Sequence, residues 1–329
     1  MTDTEPPRST AARVAAPQGG ELPLVRPGGE LSRPRATPAH SRLVHDALPV
    51  AVVLLAVLLL WYGMAWMLNA PGAIERVLDP EGPWTWRDLF SVTMGMERPV
   101  MPAPHQVAVD FYSSLTEWPV DSPRNLLFHV YVTGQSTLLG FVMGTALGLV
   151  LSVLIVHSRT LDRALLPWIV ASQTVPVLAI APIVLVILGS LGFSGTAPKA
   201  VIAMYLCFFP VTVAMVQGLR SPQKIETEMM HTYAASRWQA LWLLRLPAAL
   251  PFLFPALRVG IAAGLVGAMV AELPTGAVSG LGAKLLTGSY YGQTVQIWSA
   301  LVMSALLGLA LTAAVAAVEK LALRHRGGV

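Results

Sequence analysis

Charge is scarce in this chain. Only 12% of its 329 residues are Asp, Glu, Lys or Arg, against about a quarter in a soluble domain. That excludes an ordinary water-soluble enzyme, because too little charge is present to cover a globule. Cysteine is nearly absent too: Cys207 stands alone in an apolar run. No intrachain disulfide and no cysteine-based metal site can be built from it, so it reads as a small buried hydrophobe. Neither HExxH nor GxSxG occurs, which removes the commonest hydrolytic constellations.

What is present is apolar. Hydrophobic residues make up 54% of the chain and the mean hydropathy is +0.61. Roughly 20 apolar residues cross a bilayer as one helix, so the composition predicts an all-α membrane protein with about six spans. The first uncharged run is Ala47 to Leu68, with Trp61, Tyr62 and Trp66 near its far end, where rings favour the membrane interface. The others are Val130 to Val156, Ala164 to Leu188, Ala200 to Leu219, Ala248 to Ala271 and Ile297 to Val318. The third holds Pro167, Pro176 and Pro182, and the fifth holds Arg258.

The remainder divides by composition. Residues 1 to 42 hold seven prolines and six arginines without an aromatic residue, which predicts a disordered tail and not a signal peptide. Residues 69–126 carry four arginines, eight acids and three tryptophans, and are expected outside, partly on the membrane surface. Within them Val107, Phe111 and Leu115 recur at a spacing of four after Pro102 and Pro104, predicting a short amphipathic helix. Residues 127–320 are expected to form the transmembrane core. His157 to Arg163 reads as a short basic loop, and residues 321–329 as a second tail.

Lys and Arg counts set the orientation. With the N terminus inside and six spans threaded, fifteen fall on the cytoplasmic side, six fall outside and Arg258 lies within a span. This agrees with the positive-inside rule, and both termini are expected in the cytoplasm. Gly140, Gly144 and Gly148, and again Gly260 and Gly264, stand four apart. Such strips let another helix approach closely, and packing inside the bundle is preferred over a dimer contact. The glycine-rich piece Gly276 to Lys284 is not a phosphate loop: Ala283 precedes its lysine and Leu285 follows it. No nucleotide or other cofactor is therefore expected to bind this chain.

The informative connection lies between the fourth and fifth spans. It runs over twenty residues where a few would suffice. It reads as two short helices with a turn near Ala234–Ser236, with Trp238, Leu241 and Trp242 pointing back toward the bundle. Glu228 is followed, six residues on, by Ala234, then by Leu244, Leu246 and Pro247. This register resembles the signature of permease subunits of bacterial ABC importers: Glu-Ala-Ala, three residues, Gly, nine residues, Ile-x-Leu-Pro. Met229, Met230 and Ala234 depart from it. The resemblance runs from Met101 to Lys320 and is nearest the nitrate, sulfonate and taurine branch, which includes riboflavin and pyrimidine-precursor importers. It is carried by Met101 to Pro104, Leu138 to Phe141, Gln173 to Pro176, Ala179 to Pro182, Phe208 to Pro210, Leu257-Arg258, Ala271-Glu272 and Ser279 to Gly282.

The resemblance implies a type I importer fold in a bacterial inner membrane. It implies a second permease copy, a cytoplasmic ATPase that binds ATP and magnesium, and an external solute-binding protein. It makes Glu228 to Trp242 a coupling helix laid against the ATPase, with Glu228, Tyr233, Ala234, Ala235, Ser236, Arg237, Trp238, Leu246 and Pro247 as its coupling set. No nucleic-acid partner is implied. From the residues themselves, Gln173 and Thr174 beside Pro176 suit a solute path, since proline loosens a helix. Gln135 and Glu272 are weaker path candidates, and an acid at a span end is more often interfacial. The rival expectation is an ion-coupled secondary transporter, which needs a carboxylate deep in a span.

Overall fold

The computed structural model describes residues 39–76, 78, 82–274 and 279–324. The chain divides into two units, Met1–Leu55 and Ala56–Val329. The described part of the first is the opening of helix α1 (Ala39–Arg76). The remaining helices are α2 (Trp86–Gly95), α3 (Pro104–Thr116), α4 (Leu126–His157), α5 (Arg159–Ser172), α6 (Val177–Ser190), α7 (Thr196–Leu219), α8 (Lys224–Thr232), α9 (Arg237–Ala240), α10 (Leu246–Glu272), α11 (Leu281–Tyr290) and α12 (Thr294–Arg324). A π-helical stretch, Leu241–Arg245, joins α9 to α10. No strand occurs among the described residues.

Among the described residues five helical segments are long and apolar enough to cross a membrane: Leu48–Arg76, Leu126–His157, Thr196–Leu219, Arg237–Glu272 and Thr294–Leu323. The sixth expected span is not one straight helix. α5 and α6 are bent by 103° at the break between them. Pro176 has no N–H to continue the ladder, and Ser172 O, the carbonyl it would have met, accepts from Tyr205 Oη. The basic loop expected at His157 to Arg163 is helical from Arg159 onward, because Ser158 caps α5 by accepting from Leu161 N.

The tail expected over residues 1–42 lies outside the described residues up to position 38, and α1 has begun by Ala39. Of the C-terminal tail, residues 321–324 continue α12 and the rest lies outside the described residues. α1 also runs past Leu68. Its Asn69 is buried and closes three hydrogen bonds with the chain at Val100 and Met101. The expected amphipathic helix is α3, with Pro104 in its first turn and Val107 buried.

The core of the second unit is α7 packed between α4 and α10. The glycine strip explains how. A Cβ on Gly140 would stand 2.4 Å from Ala203 Cβ, one on Gly144 2.8 Å from Cys207 Cβ, and one on Gly148 2.9 Å from Val211 Cβ. The strip therefore faces α7, inside the chain. Gly260 on α10 meets Cys207 from the other side. Cys207, Val211, Met215 and Leu219 form one buried ridge with Leu241 and Ala249. α10 carries Pro247, Pro251 and Pro255 near its start.

Candidate functional site

Two constellations stand out, at opposite ends of the segment Arg237–Glu272. The first is the hairpin of α8, a turn, α9 and the π-helical stretch. Gln223 opens α8 by donating its N–H to Glu226 Oε2 at 2.8 Å. The helix ends in a two-bond turn: Ala235 N donates to Met230 O and Ala234 N to His231 O, both at 2.9 Å. Ala234 has φ +50°, the left-handed conformation this motif requires. It is the position where the family signature has glycine, and the turn is tight in spite of the alanine. Ser236 then caps α9 by exchanging bonds with Gln239 at 2.7 and 3.2 Å. The two short helices expected with a turn near Ala234–Ser236 are thus present across 228–242, because two caps in succession interrupt the ladder.

The hairpin presents an uneven surface. Glu228 is exposed and pairs with Lys224 at 3.6 Å, one helical turn away. Tyr233 is 77% exposed. The expectation that Trp238, Leu241 and Trp242 all turn inward is corrected. Leu241 is buried, while Trp238 and Trp242 are 63% and 65% exposed. A helix this short has one narrow buried side, and Leu241 takes it. Trp238 rests on the His157 ring at 5.6 Å between centroids. Arg237 is exposed, Ala235 half-buried, and Leu246 packs on the ridge that contains Cys207, with Pro247 next to it in the first turn of α10.

The second constellation surrounds Glu272. The expectation of an interfacial acid is corrected: this side chain has no exposed surface. Its carboxylate accepts from Thr133 Oγ1 of α4 at 2.9 Å and from Gly282 N of α11 at 2.8 Å. Lys199 of α7 stands 3.5 Å away and also donates to Ser279 O at 3.2 Å. Thr133 Oγ1 accepts from Leu281 N at 2.8 Å, and His129 Nδ1 accepts from Gly280 N at 3.0 Å. Four helices therefore converge on one carboxylate. Gly280, at φ +125°, has no room for a Cβ, which would fall 2.2 Å from Glu272. Such close ionic packing needs every lone pair engaged to offset desolvation.

Gln173, Thr174 and Pro176 share the exposed corner between α5 and α6, and Gln135 is exposed on α4. The structure brings Glu228 to Trp238 of the expected set into one hairpin, puts Leu246 and Pro247 in the first turn of α10 behind it, gathers the Gln173 group at one corner, and places Glu272 in none of these. Lys199, Thr133 and His129 escaped sequence reading. The available signal was a lone cation at the start of one apolar run and a lone acid at the end of another. Nearby on α11, burial holds the Lys284 amine below the ordinary lysine range, opposed by the Asp110 charge. Among the described residues no group of His, Cys, Asp or Glu is placed to hold a metal ion.

Residues 138–324, most of the second unit, match the family model described as "Binding-protein-dependent transport system inner membrane component". The chain is similar to a riboflavin transport system permease of Chloroflexus aurantiacus, 33% identical over 225 residues, 68% of this chain and 80% of the relative. It is also similar to a formylaminopyrimidine transport permease of Halalkalibacterium halodurans, 34% identical over 164 residues, 50% of this chain and 64% of the relative. A third relative is an aliphatic sulfonates transport permease of Bacillus subtilis, described as putative in its name, 26% identical over 227 residues, 69% and 78% of the two chains. With its all-helical spans, the chain belongs to the binding-protein-dependent transport system inner membrane component family and is the membrane permease of an importer of that kind.

Proposed function

We propose that the hairpin from Lys224 to Arg245 is the element through which a cytoplasmic ATPase drives this permease. One observation carries the reading: a doubly capped hairpin exposes Glu228, Tyr233 and Trp238 and runs without a gap into α10. Two caps fix its shape before any partner arrives, so little ordering is left for docking. Exposed aromatic side chains on a short amphipathic helix are suited to a groove in a partner. Both termini are then cytoplasmic, ATP is hydrolysed by the partner, and two permease copies form the pathway. The 78% exposed Trp168 and 72% exposed Val186 lie in α5 and α6, apolar surface suited to lipid or to that second copy.

The solute is proposed to be a small polar organic molecule of the vitamin or pyrimidine-precursor class, following the names of the riboflavin and formylaminopyrimidine relatives. The corner at Gln173 to Pro176 is the proposed lining of its path, with Gln135 a second polar group for it. Glu272 is proposed as an anchor and not as a solute contact, since its oxygens are already engaged. That also weighs against ion coupling, which needs a carboxylate free to cycle.

The test is co-purification. Glu228→Arg with Trp238→Ala should remove the ATPase from detergent-purified permease while insertion and folding of the permease persist. An unchanged complex that still drives uptake would sink the assignment of this hairpin.

A further inference from the structure

Behind the hairpin lies a cavity of about 410 Å³ between the end of α4, the start of α5 and the inner sides of α8 and α9. Its lining includes His157, Arg159, Thr227, His231, Arg237 and Arg245, and no acidic side chain. Nearby acids are engaged elsewhere: Asp162 with Arg220 at 2.8 Å, Glu228 with Lys224 at 3.6 Å, and Glu226 with the Gln223 N–H. Arg159, Arg237 and Arg245 form no ion pair among the described residues. Three guanidinium groups thus face one cavity without a counter-charge. His157 spends its Nδ1–H on Val153 O at 3.0 Å, which leaves Nε2 for a ligand.

Like charges brought together from three elements repel unless something anionic sits between them. Guanidinium forks match tetrahedral oxyanions better than any other common ligand, because two N–H groups meet two oxygens at once. We propose that this cavity binds a phosphate-type oxyanion. The group can come from solution, as phosphate or a phosphomonoester, or from the headgroup of an anionic lipid. Trp242 and Leu243, which lie in the chain between the lining residues Ala240 and Arg245, are 65% and 70% exposed, as residues at a membrane interface often are.

The anion ties the α4–α5 corner to the hairpin. The lining takes the inner sides of α8 and α9, while Glu228, Tyr233 and Trp238 do not line it. Occupancy therefore stiffens the hairpin from behind and leaves its outer side open. That consequence for coupling rests on the ATPase reading above; the binding itself does not.

The test uses the purified full chain in nanodiscs of phosphatidylcholine. Inorganic phosphate is titrated against sodium chloride at matched ionic strength, and amide hydrogen exchange is followed over residues 224–245. Phosphate should slow exchange about threefold or more at millimolar concentration, and chloride should not. Arg159→Gln with Arg245→Gln should abolish the protection, and the corresponding pair of lysine substitutions should keep part of it. In a second arm about one fifth of the lipid is phosphatidylglycerol and phosphate is omitted. Protection there, with nothing added by phosphate, names a lipid headgroup; protection by phosphate alone names a soluble anion. Each outcome supports the site. Absence of protection in both arms, or protection that the glutamine pair leaves intact, overturns it. If the glutamine pair does not fold, each single glutamine variant should lose part of the protection, and parent-like protection in both overturns the site. No ATPase or solute enters the assay, so its failure leaves the permease assignment standing.

Discussion

Glu272→Gln decides whether the buried carboxylate anchors or transports. In the parent it accepts from Thr133 at 2.9 Å and Gly282 at 2.8 Å and faces Lys199 at 3.5 Å, whose side chain is 6% exposed. The amide keeps an acceptor for the Gly282 N–H but removes the charge opposite Lys199. Removing one partner of a buried pair costs about 3–5 kcal/mol. We expect about 3 kcal/mol here, because Ser279 O still accepts from the ammonium at 3.2 Å. Lys199→Met alone should cost a similar amount by removing the ammonium opposite the buried carboxylate. The double variant buries neither charge, so its loss should fall short of the sum by about 2 kcal/mol or more. Detergent-titrated unfolding of the purified permease reads these values, with uptake by the reconstituted importer alongside. Strictly additive losses would refute the pairing. Parent-like stability in Glu272→Gln with uptake abolished would refute the anchor and place the acid on the solute path.

Gly140→Ala should destabilise by about 1–3 kcal/mol through overpacking, since its Cβ would meet Ala203 and Ala200 at 2.4 and 2.6 Å. Gly134→Ala on the same helix meets nothing within 4 Å and should be neutral or gain up to about 1 kcal/mol from helix propensity; equal effects in the same titration would contradict the packing. Ala234→Gly should relieve the left-handed alanine, worth roughly 1 kcal/mol before the added chain entropy is subtracted, and appear as slower amide exchange at 233–236. Lys284 has its folded pKa held down by burial, so the unfolded chain binds the extra proton. Stability should therefore rise as pH climbs from the lowered folded value toward the ordinary lysine range. Lys284→Met should remove that slope in unfolding measured across alkaline pH, and persistence of the slope would assign it to another group.

Spans were legible where charge is absent, because a lipid-facing helix needs no polar period to declare itself. The same absence hid the corner at Gln173–Pro176. The runs on both sides are almost wholly apolar, so no periodicity marks where one helix stops and the next sets off in another direction. Arg159, Asp162 and Arg163 mislead for the opposite reason: their charge reads as a break, while Ser158 caps a helix beneath it. The hairpin turn was legible from a register of residue types. Glu272 was not, since a sequence does not show what meets the end of a helix. Its partners come from positions 133, 199 and 282, joined to it only by the packing of α4, α7 and α11 around α10.

The prolines of α10 have a mechanical consequence. Pro247, Pro251 and Pro255 stand four apart. Each lacks the N–H that an α-helix gives to the carbonyl one turn back. Pro247 sits in the first turn, where proline is tolerated, so the two turns at Pro251 and Pro255 are weakened along one side of the rod. Farther on, Gly260 and Gly267 seat the backbone hard against α7, with a Cβ on Gly267 falling 2.9 Å from Ala203 Cα. The helix is a compliant segment joined to a stiff one. If the hairpin is driven as proposed, a push there is expected to be taken up as a change of angle near Pro251 and Pro255, while the part of α10 seated on α7 keeps its packing.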